Sequence, residues 1–460
     1  MKEFDAIIIG AGQAGPPMAA RMVEAGMRVA LVERDVLGGT CVNRGCMPTK
    51  ALVASARAAH VTRHAAQWGV LASGPVGVDM KRVRARAAKV TTDARGRLES
   101  WLGGMQGLTL LHGHARFQDA RTIRIGMEAL TAPRIILNVG ARTLVPAIAG
   151  IDRVDHLTSS SIIELDTLPE HLLVVGGSYI GLEFAQMYRR FGAEVTVVER
   201  GERLLPREDE DISEAIRDAL EAEGIVIHTG AACIGLAPHL DGIALQLDGG
   251  SGEPAAIGSH VLVATGRRPN TDGLGLDAAG VAMDARGYIT VNDELATNVP
   301  GIWALGDCNG RGAFTHTAYN DFEILAANML DGDSRRVSQR IPAYALYIDP
   351  PLGRVGMTDA QARATGRKLL FSKRPMTRVG RAIEKGETQG FMKVVADAET
   401  QQILGAAILG VEGDEAIHGL LDAMHAGTPF PVLRWAVPIH PTVSELIPTL
   451  LGGLKAAEEG

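Results

Sequence analysis

Two stretches of this chain each run from an apolar strand through a glycine turn into a helix, and on to a second strand that ends in an acid. Few folds accept such a unit. The first is Ala6-Ile7-Ile8-Ile9, then GAGQAG, a helical stretch from Met18 to Ala25, and a strand from Arg28 to Glu33. Gly10, Gly12 and Gly15 occupy the G-x-G-x-x-G slots, and Glu33 lies about 20 residues on, where a ribose-binding acid belongs. A helix starting near Gln13 puts Pro17 at the edge of the first turn, whose N–H groups have no intrahelical partner. The second unit spans Leu172 to Glu199, with HLLVVGG as strand, IGLEFAQMYRRFG as helix and EVTVVER as returning strand. Its slots hold Gly176, Ser178 and Gly181, so a serine stands where the backbone approaches a pyrophosphate. Two such units imply two bound dinucleotides.

A chain of 460 residues is long enough for three or four domains of roughly 100 to 200 residues each. Two similar strand ends, LNVGAR at 137–142 and VATGRR at 263–268, mark domain exits. They divide the chain into 1–145, an inserted 146–270, a return at 271–340, and a more β-rich portion at 341–460. The formal net charge of -7 and a pI near 6.0 argue against nucleic acid or an anionic membrane as main partner. The start, MKEFDAIIIGAG, has no long apolar leader core, and no run reaches the roughly 18 apolar residues of a membrane span, so a cytoplasmic protein is expected. The basic stretch Lys81 to Arg97 reads as a solvated helix face. Four cysteines are too few for a structural disulfide framework. Two of them, Cys41 and Cys46, fall in the single segment GGTCVNRGCMPTK.

Taken in order, GAGQAG, GGTCVNRGCMPTK, GGSYIGLEFA, ATGRRPN, GIWALGDC and HPTVSE resemble the class I pyridine nucleotide-disulfide oxidoreductases, the family of glutathione reductase, dihydrolipoyl dehydrogenase and mercuric reductase. The segment FTHTAYNDFEILAANM departs from the AxxEG pattern of the glutathione and lipoamide enzymes. It is nearer the mercuric-reductase-like and reactive-chlorine-resistance flavoprotein branch. The resemblance implies an α/β fold with two Rossmann-like domains, for FAD and NAD(P), plus an α+β C-terminal dimerisation domain. It places Gly10, Gly12, Gly15, Glu33, Gly39, Thr40, Lys50, Gly140 and Asp307 at FAD, and Gly176, Ser178, Gly181, Glu199 and Gly266 at NAD(P).

Cysteines with four residues between them at a helix start can close a small disulfide, and the helix terminus favours thiolate. Zinc would need four ligands, and His60 and His64 lie well down the next helix, so no metal site is expected. By resemblance Cys46 is the thiol beside the flavin, Cys41 exchanges with substrate, and Lys50 points at the flavin and pairs with Glu183. His440, oriented by Glu445, acts as base and comes from the partner subunit, which implies a homodimer. Cys233 and Cys308 read as ordinary buried thiols.

Glu199 suits the ribose hydroxyl of NADH and would repel a 2′-phosphate, although Arg200 or Arg203 could cradle one; NADH is expected over NADPH. Three functions remain open: reduction of a small disulfide, mercuric-reductase-like reduction of a soft metal ion such as Hg2+ or Cu2+ or of an oxidant, and flavin binding without turnover. The end LLGGLKAAEEG lacks the vicinal cysteine pair usual in mercuric reductases.

Overall fold

In the computed structural model, which describes residues 1–71, 73–247 and 253–456, the first unit forms the centre of a five-stranded parallel sheet. Ala6–Ile9 lies between Val29–Glu33 and Ile135–Leu137, with Leu108–His112 and Ile302–Ala304 at the edges. All of Ala6–Ile9 is buried, as expected of a parallel strand covered on both faces. The helix that follows runs Gly15–Glu24, later than the expected start near Gln13. Pro16 and Pro17 are therefore its second and third residues, both inside the turn that needs no N–H donors.

The second unit builds another parallel sheet, in the order Leu157–Thr158, His260–Val263, His171–Val175, Glu194–Val198, Val226–His228. Both glycine turns are made the same way. Gly10 and Gly176 have φ of 101° and 117°, and a Cβ on either would fall 2.2 Å from the Asn138 carbonyl oxygen or 2.6 Å from that of Ala264. Only glycine fits. The two similar strand ends meet as an antiparallel pair, Ala141–Thr143 against Arg267–Pro269, so the chain leaves and re-enters the first body at one place.

From Ala343 onward the chain forms a six-stranded sheet whose central strands, Phe391–Asp397 and Ile403–Leu409, are wholly buried. A buried ionic cluster binds this sheet to the second dinucleotide body. Arg354, 1% exposed, reaches Glu208 at 2.9 Å and Asp209 at 2.8 Å, and Lys393 reaches Asp209, Asp211 and Asp359. The basic helix, Met80–Gly103, is capped by the Asp79 carboxylate accepting the Arg82 N–H; Lys81, Arg82, Lys89 and Arg97 are exposed, whereas Arg84 pairs with Glu164 and Arg86 donates to the Ala51 carbonyl at 2.6 Å. Among the described residues no helix is long and apolar enough to cross a membrane.

Candidate active site

The segment GGTCVNRGCMPTK folds as a short helix, Gly39–Asn43, followed by an 18-residue helix, Cys46–Arg63. The first sits directly on the first glycine turn: a Cβ on Gly39 would lie 2.8 Å from the Gly12 Cα. Thr40 is exposed beside it. Cys46 is the opening residue of the long helix, where unpaired N–H groups and the helix dipole favour an anion. A second helix start meets it there, since Thr315 opens helix Thr315–Ala326 and its Oγ1 stands 3.2 Å from the Cys46 Sγ. Both cysteines are free thiols, Cys46 exposed and Cys41 half-buried. Hydrogen bonding from the Cys41 thiol, with help from Thr315 and the Lys50 ammonium, outweighs burial and brings the Cys46 thiol down to about 6. Its partner moves oppositely. The hydrogen bond to Cys46, burial and the nearby thiolate charge push the Cys41 thiol up.

One turn further along the same helix, Lys50 places its Nζ 2.6 Å from the Glu183 Oε2 and 4.4 Å above the centre of the Tyr347 ring. Glu183, 6% exposed, lies on helix Tyr179–Phe191 of the second unit, and its other oxygen accepts the Tyr347 N–H at 3.1 Å. A turn on, the Gln186 amide bonds the Asp349 backbone in both directions, at 2.7 and 2.8 Å. Helices of both dinucleotide bodies and a loop of the C-terminal sheet thus converge on one lysine.

The acids closing the two units are held alike. Glu33 accepts the Ala11 N–H at 2.8 Å, and Glu199 accepts those of Gly177 at 2.6 Å and Gly201 at 2.8 Å. Ser178 has extended backbone (φ -113°) before the helix, a conformation serine adopts freely, so the missing middle glycine causes no strain. Gly15 and Gly181 begin or enter their helices at the turns, while Gly140 and Gly266 flank the strand pair where the bodies join. The glycine slots Gly10, Gly12, Gly15, Gly176 and Gly181 carry no side chain before or at the start of each helix, and Ser178 adds only a hydroxymethyl, so the residues fit two dinucleotides. A cavity of about 670 Å³ opens beside the second turn, lined by Ile148, Gly176, Glu199, Arg200, Cys233 and Thr265. Cys233 is exposed on this wall, against the expectation of a buried thiol, because it precedes strand Ile234–His239 in a loop; Cys308 is fully buried as expected. Arg203 is engaged by the Glu208 carbonyl oxygen at 3.2 Å, whereas Arg200 borders the cavity.

Asp307 lies in the turn after strand Ile302–Ala304, 3.4 Å from an Arg267 nitrogen, and burial pushes its carboxyl up while Arg267 opposes. His440 forms a separate pair, its Nδ1 2.9 Å from the Glu445 Oε2, with the histidine 78% exposed and the acid largely buried. Among the described residues it makes no hydrogen bond to either thiol of its own chain. Sequence reasoning missed Asn138, Thr315 and Tyr347. Asn138, buried, accepts the Gly15 N–H at 3.0 Å and donates to the Leu305 carbonyl at 3.1 Å, tying the turn to the strand before Asp307. An asparagine at the end of the apolar run IILN was the visible signal; Thr315 and Tyr347 carry none, because only tertiary contact brings them in.

Fold and site together define a two-dinucleotide oxidoreductase with a dithiol beside the first nucleotide turn. Residues 4–321 match the pyridine nucleotide-disulphide oxidoreductase family and residues 342–451 its dimerisation domain, and the chain belongs to this family of FAD-dependent, pyridine-nucleotide-linked enzymes. It is 34% identical to the probable pyridine nucleotide-disulfide oxidoreductase RclA of Escherichia coli (strain K12), over 99% of this chain and 100% of that protein. It is 35% identical to dihydrolipoyl dehydrogenase of Thermus scotoductus, over 100% and 97%, and 32% identical to mercuric reductase of Bacillus cereus, over 99% and 71%. The solved Cu(II) complex of the HOCl-induced flavoprotein disulfide reductase RclA from Escherichia coli superposes with a TM-score of 0.89 at 33% identity, over 98% of this chain and 99% of that one.

Proposed function

We propose that this chain carries reducing equivalents from NADH, with bound FAD, to a Cys41–Cys46 redox disulfide and on to a small-molecule disulfide. The observation that carries the reading is Cys46 at the junction of two helix starts, 3.2 Å from Thr315, with the Lys50–Glu183 pair one turn on. FAD would be held by Gly10, Gly12, Gly15, Glu33, Gly39, Thr40, Lys50, Gly140 and Asp307, and NADH by Gly176, Ser178, Gly181, Glu199 and Gly266. FAD, when bound, supplies two-electron exchange between nicotinamide and dithiol. We divide the chain for these roles at 145/146, 270/271 and 340/341, and assign a cytoplasmic setting, where a reducing milieu suits a catalytic dithiol.

In the dithiol form, the Cys41 sulfur attacks the substrate disulfide, bonding to one sulfur while the other leaves and takes a proton. The Cys46 thiolate then attacks the Cys41 sulfur, closing the enzyme disulfide and releasing the second substrate sulfur as a thiolate, which takes its proton from water. Cys41, held as a thiol, needs a base to give up its proton. The exposed imidazole of His440, oriented by Glu445, supports assigning this base to His440 of the partner subunit in a homodimer. NADH is favoured because the Glu199 carboxylate, fixed by two backbone N–H groups on the cavity wall, suits a ribose diol and repels a 2′-phosphate.

A second reading keeps the same electron path and ends at a soft metal ion, with the two thiolates as transient ligands. What favours it is the Cu(II) complex of RclA, together with the solvent-exposed Cys46 of this chain. Steady-state NADH oxidation with lipoamide, oxidised glutathione, Hg2+ or Cu2+, each repeated with Cys41→Ser, separates the two. Turnover with a disulfide that is lost in Cys41→Ser supports the first; turnover with the metal ions alone overturns it in favour of the second.

A further inference from the structure

Tyr347 follows strand Ala343–Leu346, at the edge of the C-terminal sheet. Its neighbours Leu346 and Ile348 are buried at 0% and 3%, whereas Tyr347 is 39% exposed and turns toward the junction of helices Cys46–Arg63 and Tyr179–Phe191. The loop that carries it is fastened to both helices. Asp349 pairs with Arg57 of the first at 2.9 Å and with Arg190 of the second, and Gln186 of the second holds the Asp349 backbone. The Tyr347 ring is thereby fixed with its face to the Lys50 ammonium, 4.4 Å from the ring centre, while the Tyr347 N–H donates to Glu183 at 3.1 Å. The Tyr347 hydroxyl makes no hydrogen bond among the described residues, so the ring face and the backbone are what it brings to the site.

An ion pair whose lysine is one-third exposed holds weakly, because water competes for the ammonium and the long side chain gains by staying free. The negative face of an aromatic ring adds an attraction that needs no hydrogen bond and shields the ammonium from water. Glu183 has one oxygen on Lys50 and the other on the Tyr347 N–H, so the loop sets acid and ring at a fixed separation. We propose that Tyr347 is a positioning residue of the electron path: its ring face and the Glu183 carboxylate together clamp the Lys50 ammonium beside the flavin and the Cys46 thiolate. The proposal rests on the flavin role assigned to Lys50 above. A ring of the same shape whose face has been drained of electrons loses the clamp.

The test replaces Tyr347 in the holoenzyme with phenylalanine and with mono-, di- and trifluorinated phenylalanines, which keep the ring's size while weakening its face. Stopped-flow reduction of the flavin by NADH is one readout. The pH midpoint of Cys46 alkylation in the reduced protein is the other, and it needs no turnover. Tyr347→Phe is expected to match wild type within about twofold, and the reduction rate to fall stepwise with each fluorine, to roughly a tenth at the third. The Cys46 midpoint is expected to rise by roughly half a unit across the series, because the Lys50 charge is among the influences that lower it. In a Lys50→Met background both series are expected to be flat; where that variant is not reduced by NADH, the Cys46 midpoint makes the comparison. A rate and a midpoint that ignore fluorination overturn the proposal, and so does a decline equally steep without the lysine. Wild type that NADH does not reduce is a different failure, that of the electron path on which the clamp stands.

Discussion

Hydrogen bonds from Cys41 and Thr315 and the charge of Lys50 together bring the Cys46 thiol down to about 6, and each contribution can be removed singly. Above that pH the reduced pair holds a thiolate, and below it the charge is lost. Thr315→Val removes one hydrogen bond, and the midpoint is expected to rise by roughly one unit, about 1.4 kcal/mol. Thiolate absorbance or the pH dependence of alkylation measures it, and an unmoved midpoint would show that Thr315 is a bystander. At the second turn Glu199 makes a parallel case. NADH is expected to be used roughly tenfold better than NADPH in kcat/KM, and Glu199→Ser to narrow that ratio mainly through KM; equal use of both by wild type would contradict it. At this scale the sequence disclosed the residues lying inside contiguous motifs, Cys41, Cys46, Lys50, Glu33 and Glu199. Thr315 and Tyr347 reach the same site from 269 and 297 positions beyond Cys46 and Lys50, respectively, and no local pattern distinguishes them from an ordinary helix start or loop.

Among the elements, helix Cys46–Arg63 and helix Tyr179–Phe191 are joined at the Lys50–Glu183 pair, where the acid is nearly buried and the lysine one-third exposed. Removing the charge of Glu183 leaves Lys50 free to leave the Tyr347 face. Glu183→Gln is expected to slow reduction by NADH by roughly ten- to a hundredfold, a loss of about 1–3 kcal/mol, with FAD content unchanged. Stopped-flow reduction beside a flavin-to-protein ratio checks both halves, and lost flavin would mean that the pair is structural. The glycine-turn units were legible because strand, turn and helix are encoded within about 30 residues. The start of the first helix was misplaced because Gln13 lies in the turn, which the periodicity of the helix does not mark. The C-terminal sheet was legible only as β-rich. Its order joins Leu352–Gly356 to Ile403–Leu409 across 46 intervening residues, a pairing decided by burial against the ionic cluster around Arg354 rather than by any turn signal.

For the whole molecule, the His440–Glu445 pair sits beside a surface that exposes Trp435 at 79%, Val437 at 96% and Ile439 at 80%. In a homodimer that places this segment over the partner's dithiol, two different defects complement. Mixing and re-annealing Cys41→Ser with His440→Gln is expected to restore about a quarter of wild-type turnover, since half the dimers are mixed and each holds one intact site of two; no recovery would put each site within one chain. The order of the motifs made this architecture legible, but no sequence pattern shows which chain supplies the histidine. The proposed activity depends on Cys41 and Cys46 acting as a redox disulfide. Anaerobic titration with NADH tests this most directly. The first equivalent should reduce the disulfide, leaving the flavin absorbance oxidised while a long-wavelength thiolate band grows, and Cys46→Ser should bleach at once without the band. Bleaching of the wild-type flavin by the first equivalent, with no such band, would contradict it.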